Sequence, residues 1–205
     1  KIIFTYTSLA DIIRHWDDFN SDEILKLTCE RLSNGEEISM PYGELIKRIQ
    51  MIKEKKGNDV LVNKLIDIAE IKLMNYEIKI EPPIVVLGDA SGSMEVAIKT
   101  SSIITSILVK LCNAKMHLFR DKDEIIQHTP KNVNDVLNMM NIFKAHSATN
   151  PAMSLYPYYQ RKEIIKTFIL VTDEEENGQC EGKDFAQLFK LYRNEIYPAK
   201  LVFVS

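Results

Sequence analysis

Three short, largely apolar runs in the second part of the chain constrain its fold more than any other feature. They are Ile84–Leu87, Thr167–Val171 and Leu201–Val204. Strands with one solvated face alternate apolar and polar residues, whereas these runs do not, which indicates a sheet covered on both faces. Helical segments separate the runs, as they do in parallel sheets. The sequence therefore predicts an α/β fold with a doubly wound, mostly parallel sheet.

Further predicted elements complete this pattern. A fourth strand, Met116–Phe119, forms a predicted hairpin with Glu124–Gln127. The predicted helices are Met94–Leu111, Val133–Ile142, one that starts near Pro151, and Asp184–Ile196. The first of these has a single narrow polar stripe, formed by Glu95, Lys99, Ser102, Ser106 and Lys110. Because most of its other positions are apolar or small, we expect this helix to be largely buried.

The first 80 residues have helical periodicity instead. Asn20 and Glu23 have capping-box spacing before an apolar run, and Tyr42–Lys56 has an apolar stripe. Asn58 is the predicted cap of a further helix. The adjacent Pro82 and Pro83 forbid helix continuation and favour an extended entry into the first strand. We therefore expect a helical module at 1–80 and an α/β domain at 84–205.

Composition limits the classes of function. The 205 residues are 45% hydrophobic, which suffices for a sizeable core. Residues 1–83 contain 12 Lys and Arg against 15 Asp and Glu, and 84–205 contain 14 of each, so the charge does not demand a nucleic-acid partner. Three isolated cysteines fit reduced thiols, and neither a signal peptide nor an apolar run of membrane-spanning length is evident. We expect a cytoplasmic, intracellular protein without a membrane partner.

The stretch GDASGSM at 88–94 places polar side chains directly after the first predicted strand. Asp89, Ser91 and Ser93 occupy alternate positions in it. A helix cap, a nucleophile site and half of a metal site are all consistent with this spacing.

Two other loops offer companions to these residues. Ligands of open α/β sheets bind beyond the carboxyl ends of the strands. The loop SATNPA contains Thr149, and VTDEEEN contains Asp173 directly after a strand. Hydroxyl and carboxylate oxygens without sulfur are the ligands of a hard divalent cation, so we expect Mg²⁺, with Mn²⁺ or Ca²⁺ as alternatives.

The order Asp-x-Ser-x-Ser, then a loop Thr, then Thr-Asp after a strand resembles the metal-ion-dependent adhesion site of von Willebrand factor A (vWA) domains. The resemblance covers residues 84–205. It implies that the metal ligands are Asp89, Ser91, Ser93, Thr149 and Asp173. It also implies a doubly wound sheet with the ion at its top, and a protein partner that donates an Asp or Glu to the ion.

A narrower similarity extends to the Ro/TROVE ribonucleoproteins. Residues 166–205, with LVTDEEEN and FAQLFKLYRNEIYPAKLVFVS, are similar to the carboxyl-terminal domain of that family. This similarity implies RNA binding, mainly through a helical region.

The chain departs from the vWA pattern in two respects. Where the family has Thr-Asp-Gly, Asp173 is followed by Glu174, Glu175 and Glu176. These carboxylates form a solvated acidic loop, or they make the potential around the ion more negative, or Glu174 or Glu175 fills the open position on the ion. The family also continues with another helix and strand after Leu201–Val204, so we expect a shortened or incomplete domain.

The motif does not favour catalysis. A nucleophile elbow requires G-x-S-x-G, but the flanking positions of Ser91 are Asp89 and Ser93. An aspartyl-phosphate mechanism would need a second acid two residues after Asp89, where Ser91 stands. Metal-assisted hydrolysis is the weaker alternative. Tyr156, Tyr158 and Tyr159 offer an aromatic rim for a partner or, more simply, packing groups.

Overall fold

The computed structural model describes residues 6–19, 21–55, 58–75, 80–89, 95–119, 126–127, 130–142, 150–172, 176 and 178–204. The chain divides into two compact units, residues 1–75 and residues 76–205. The first is called the helical unit below and the second the α/β unit.

In the described part of the helical unit, apolar stripes pack the helices together. The helices are α1 Leu9–Arg14, α2 Trp16–Phe19, α3 Asp22–Ser33, α4 Tyr42–Lys53 and α5 Asp59–Met74. The stripe of α4 is buried at Leu45, Ile46 and Ile49, and α5 contributes Leu61 and Leu65. Spacings of three and four residues place these side chains on one face of each helix, as the sequence predicts.

Two predicted helix caps need correction. Ser21, not Asn20, is the cap of α3, and its hydroxyl accepts a hydrogen bond from the backbone N–H of Ile24 at 3.3 Å. Asn20 lies outside the described residues. Asn58 does occupy the cap position of α5, but its side chain donates to the Lys55 carbonyl at 3.5 Å and makes no capping bond. The Asn58 side chain donates to a preceding carbonyl instead of accepting from a helix N–H, an alternative that residue type alone does not exclude.

A five-stranded sheet forms the centre of the α/β unit. Its strands are β1 Ile84–Asp89, β2 Lys115–Phe119, β3 Ile126–Gln127, β4 Thr167–Val171 and β5 Lys200–Val204. Their order across the sheet is β3-β2-β1-β4-β5. The strands β2, β1, β4 and β5 are parallel to one another, and β3 is antiparallel to β2. The predicted mostly parallel sheet and its hairpin are therefore confirmed.

Helices cover both faces of this sheet. They are α6 Glu95–Cys112, α7 Val133–Ile142, α8 Pro151–Gln160 and α9 Phe185–Glu195. Ile84 and Val86 of β1 pack in a cluster with Leu108 of α6, on one face. Val85 and Leu87 pack in another cluster, with residues of α8 and α9. Successive side chains of a strand point to opposite faces, so β1 contributes to two cores, which is the doubly wound arrangement.

Helix α6 is largely buried, as expected, and so are the two serines of its predicted polar stripe, whereas Lys110 of the stripe is exposed. Ser102 and Ser106 are 0% and 2% exposed, and their hydroxyls donate to the backbone carbonyls of Ile98 and Ile103. A serine that bonds to its own helix carries no free polar group into the core, so its periodicity alone does not identify a solvated face.

The expectation that every apolar strand is buried on both sides is wrong for β5. Val202 and Phe203 are 43% and 54% exposed. The strand lies at the end of the sheet order, where no described strand covers its outer side. An apolar run therefore did not distinguish an edge strand from a central one.

The core beneath α8 contains one polar pair. His117 of β2 is 2% exposed, and its Nε2 lies 2.7 Å from the hydroxyl of Tyr158. The other ring nitrogen, Nδ1, is buried and has no hydrogen-bond partner among the described residues. Burial lowers the pKa of His117 to about 4, and the nearby charges of Arg161 and Lys115 act in the same direction. The neutral imidazole is therefore the form that the core accepts.

We predict that His117 makes the folding stability fall between pH 6.5 and pH 4. Its pKa is lower in the folded than in the unfolded chain, so the unfolded chain takes up the proton first. The contribution is complete above pH 6.5 and is lost toward pH 4, with a maximum of about 3 kcal/mol.

Urea unfolding followed by circular dichroism at several pH values measures this effect. His117→Gln should flatten the dependence of the free energy of unfolding on pH in this interval. An unchanged slope in the His117 variant would contradict the assignment.

Candidate functional site

The site begins at Asp89, the last residue of the central strand β1. Strand β1 leads through α6 to its neighbour β2, and β4 leads through α9 to β5 on the opposite side. The chain therefore winds away in opposite directions from the β1–β4 pair, and its carboxyl end is the topological switch point where α/β sheets bind ligands. Asp89 is completely buried there.

A close helix approach fixes the backbone just before this carboxylate. If Gly88 carried a Cβ atom, that atom would meet the Oγ of Ser101, with the Cδ2 of Leu118 at 2.8 Å. Only a residue without a side chain allows α6 to lie so near the end of β1. Gly88, the first glycine of GDASGSM, is thus required by packing.

The carboxylate of Asp89 joins the ends of two strands. Its Oδ2 accepts a hydrogen bond of 3.0 Å from the hydroxyl of Thr172, which follows β4 and is also buried. The backbone N–H of Thr172 donates to the Val204 carbonyl of β5 at 3.2 Å. Thr172 thus holds the end of β4 to both neighbouring strands, one residue before Asp173.

The start of α8 is attached to the segment that follows β4. Asn150 caps α8 by accepting from the Met153 N–H, and its Nδ2 donates to the Gln179 carbonyl at 3.2 Å. A Cβ atom on Gly178 would meet the side chain of Asn150 at 2.8–2.9 Å. Asn150, the residue after Thr149, is therefore held against Gly178 and Gln179, which belong to the segment that continues from Asp173.

Glu176 has a different position from the one that the acidic loop suggests. Its carboxylate accepts a hydrogen bond from the backbone N–H of Phe185, at the start of α9. Burial raises the pKa of Glu176, while hydrogen bonding from the Phe185 N–H opposes this rise and the nearby Asp184 adds to it. Because its oxygens are engaged by the start of α9, Glu176 does not act as a loose member of a solvated acidic loop.

Of the five predicted metal ligands, the structure describes Asp89. Ser91, Ser93, Thr149 and Asp173 lie outside the described residues, as do Glu174 and Glu175. Among the described side chains no group of three or more His, Cys, Asp and Glu residues could hold a metal ion. The described residues Asp89, Asn150 and Thr172 each adjoin a predicted ligand loop, and they are called the frame of the site below.

The residues that form this frame fit a hard cation. Asp89 supplies a buried carboxylate, and the predicted companions are hydroxyls and a second carboxylate. Sequence reasoning missed Thr172, Asn150 and Glu176, although the first two are adjacent in sequence to predicted ligands.

Of the two alternatives for the tyrosines of α8, an aromatic rim and packing, Tyr158 takes the second. Its side chain is fully buried against His117 and Phe168 in the core. Tyr156 and Tyr159 are partly buried, and the Tyr159 hydroxyl donates to Glu195 at 2.7 Å. Packing between α8, the sheet and α9 accounts for these tyrosines.

One solved structure is similar to this chain in fold over almost its whole length. The Ro (RSR) protein of Deinococcus radiodurans matches 97% of this chain with a TM-score of 0.62 and 15% identity. A von Willebrand factor type A protein of Catenulispora acidiphila matches 61% of the chain and 33% of its own length, at 16% identity and a TM-score of 0.36. The chain spans 46% of the Deinococcus protein. The likeness to the Deinococcus protein concerns the fold alone.

Sequence comparison adds no family assignment. No protein-family model matches the chain, and no curated protein matches it by sequence. In the described residues, no helix combines the length and the hydropathy that crossing a membrane requires.

We predict that Thr172→Val lowers the free energy of unfolding by about 1–3 kcal/mol, because the buried Asp89 carboxylate loses a hydroxyl donor without a change of shape. Urea unfolding at neutral pH measures the loss. Thr167→Val is the matched control and should have a smaller effect. Thr167 is also buried and lies at the start of β4, the strand that Thr172 follows. Equal losses in the two variants would contradict a special role for the Asp89–Thr172 bond.

Proposed function

We propose that the α/β unit is a divalent-metal-dependent protein-binding domain. Asp89, Ser91, Ser93, Thr149 and Asp173 would hold Mg²⁺, and an Asp or Glu of the partner would complete its coordination. The observation that carries this proposal is the position of Asp89, a buried carboxylate at the switch point, bonded to the residue that precedes Asp173.

The chemistry of the proposed ligands explains why a carboxylate would be the preferred partner group. The hydroxyls of Ser91, Ser93 and Thr149 are neutral, so only two carboxylates offset the charge of the ion. When bound, Mg²⁺ supplies a strong electrostatic attraction for a further anionic oxygen. The fixed backbone at Gly88 and Thr172 orients Asp89 before any partner arrives.

Binding is favoured over catalysis in this proposal. The motif has no nucleophile elbow, and the titratable pair described in the core, His117 and Tyr158, lies within packed side chains and not at the sheet end. A side chain in that position has no access to a substrate.

We predict that Asp89→Ala abolishes Mg²⁺ uptake and partner capture, while the domain remains folded. Asp89→Asn keeps the shape of the side chain and should lower the affinity strongly, because a neutral amide replaces one of two charged ligands. Isothermal calorimetry measures the affinity, and circular dichroism reports the fold. Exposed Asp17 in the helical unit provides a matched Asp→Asn control. Unchanged Mg²⁺ affinity in a folded Asp89 variant would contradict the assignment.

A second candidate function is membership of a Ro-like, RNA-binding particle. The likeness to the Deinococcus Ro protein, which extends over 97% of the chain and thus includes the helical unit, supports it. The excess of acidic residues in 1–83 argues against a strong, purely electrostatic grip on phosphates.

RNA binding is tested by fluorescence anisotropy with single-stranded and duplex RNA at several salt concentrations. A Ro-like function predicts measurable affinity that falls steeply with salt and persists in Asp89→Ala, since RNA would bind the helical region. Loss of RNA binding in that folded variant would contradict this division of roles, and absence of binding at low salt would contradict the candidate function.

A further inference from the structure

The end of the sheet opposite Asp89 has an excess of positive charge. This end is called the amino edge below and comprises the residues that lead into the four parallel strands, 80–84, 113–115, 161–167 and 196–200. These segments contain two carboxylates, Glu81 and Glu163, and five cationic side chains, which are Lys115, Arg161, Lys162, Lys166 and Lys200. The whole chain has a net charge of −3, so positive charge is concentrated at this edge.

The register of the sheet places the lysines of the amino edge in a row. Lys115 and Lys200 are the first residues of β2 and β5, and Lys166 directly precedes β4. The backbone of Lys166 is bonded on both sides, because its N–H donates to the Pro83 carbonyl and its carbonyl accepts from the Lys200 N–H, each at 2.9 Å. Neighbouring strands lie about 4.8 Å apart, so the row from β2 to β5 extends over roughly 14 Å.

The two carboxylates engage only part of this charge. Glu163 lies between Lys115, at 2.8 Å, and Arg161, at 3.0 Å, and these two cations keep 58% and 50% of their side-chain surface exposed. Glu81 pairs with Lys166. Exposed pairs of this kind contribute little to stability, so their cations can exchange partners. Lys162 and Lys200 are exposed and form no ion pair with a described residue.

Lys162 occupies a backbone position that usually takes glycine. It follows the end of α8 with a left-handed φ of 50°. The N–H of Glu163 donates to the Tyr158 carbonyl and that of Lys162 to the Tyr159 carbonyl, which is the Schellman pattern of a helix end. A side chain at such a position costs free energy that glycine does not. The chain thus places an exposed cation where folding alone favours glycine.

We propose that the amino edge binds a single-stranded nucleic acid through its phosphates. A linear polyanion matches a row of cations, whereas a membrane presents its charge over a plane. A strand in the B form carries one phosphate per 3.4 Å of axis and an extended strand fewer, so the row spans about two to four phosphates. In the same segments, the partly exposed ring of Tyr197 and the 53% exposed Ile164 offer apolar surface to the bases.

This site is separate from both candidate functions described above. It lies at the opposite end of the strands from Asp89, so its binding requires no divalent ion. It also assigns nucleic-acid binding to the α/β unit, whereas the Ro-like candidate assigns it to the helical region.

Fluorescence anisotropy of labelled oligouridylate and oligothymidylate tests the proposal, with the full chain in EDTA at several KCl concentrations. We expect Lys162→Gly combined with Lys200→Gln to lower the affinity tenfold or more. Because two phosphate contacts are lost, the slope of log K against log salt should fall by about 1.4. The relative affinities of the two probes show whether RNA or DNA is preferred.

A matched control removes two cations toward the other end of the sheet. Lys99 lies in the first part of α6, which follows the carboxyl end of β1, and Lys183 lies between β4 and α9. The double variant Lys99→Gln, Lys183→Gln should bind within twofold of the wild type. Urea unfolding of Lys162→Gly should give a higher midpoint than the wild type, since glycine adopts this φ without strain. Weaker binding in that variant is then not a loss of fold.

The outcomes separate this proposal from the others. Absence of binding at low salt overturns it, and the EDTA leaves the metal proposal untouched. Binding that Lys162→Gly with Lys200→Gln retains would locate the nucleic acid elsewhere, and an equal loss in the control would show a general charge effect; either result overturns the proposal. Binding of phosphatidylserine vesicles or polyglutamate in place of both oligonucleotides would assign the edge to a membrane or an acidic protein. Should the double variant fail to fold, Lys200→Gln alone decides, with an expected loss of about threefold.

Discussion

Strand β1 pairs with β2 on one side and with β4 on the other, and helices cover both of its faces. Its backbone groups are used by the sheet and its side chains from Ile84 to Leu87 by the two cores. The strand can therefore offer a ligand only at its carboxyl end. Asp89 occupies that end, and every other feature of the candidate site is placed relative to it.

The contacts around Asp89 are short-range and mutually dependent. Gly88 sets the distance between α6 and the strand, and Thr172 bonds Asp89 to the end of β4. Farther from the carboxylate, Asn150 attaches the start of α8 to the segment after β4, and Glu176 accepts from the N–H of Phe185 at the start of α9. These contacts fix the ends of β1 and β4 and the start of α8, which are the elements that carry the predicted ligand loops.

Much of the fold was predictable from the sequence because strand burial and helix periodicity are local signals. The order of elements, the parallel sheet and the burial of α6 followed from them. Edge and centre were not distinguished, since β5 is as apolar as β1 but is exposed at Phe203. A strand's place in the sheet depends on pairing with distant residues, which composition does not encode.

The candidate site was predictable in part. Its location followed from the rule for strand ends, and Asp89 lies where that rule puts it. The contact of Glu176 with the start of α9 was not predictable, because its partner, Phe185, donates through the backbone. Backbone donors leave no trace in residue identity, so a bond to them has no sequence signal.

Anomalous diffraction from crystals grown with Mn²⁺ tests the central claim most directly. The account predicts a single strong peak at the carboxyl end of β1, with the oxygens of Ser91, Ser93 and Thr149 in direct coordination and those of Asp89 and Asp173 bound directly or through water. A sixth position should be open to solvent or filled by a carboxylate from a neighbouring molecule. No peak there at saturating Mn²⁺, or a peak held by other residues, would contradict the account.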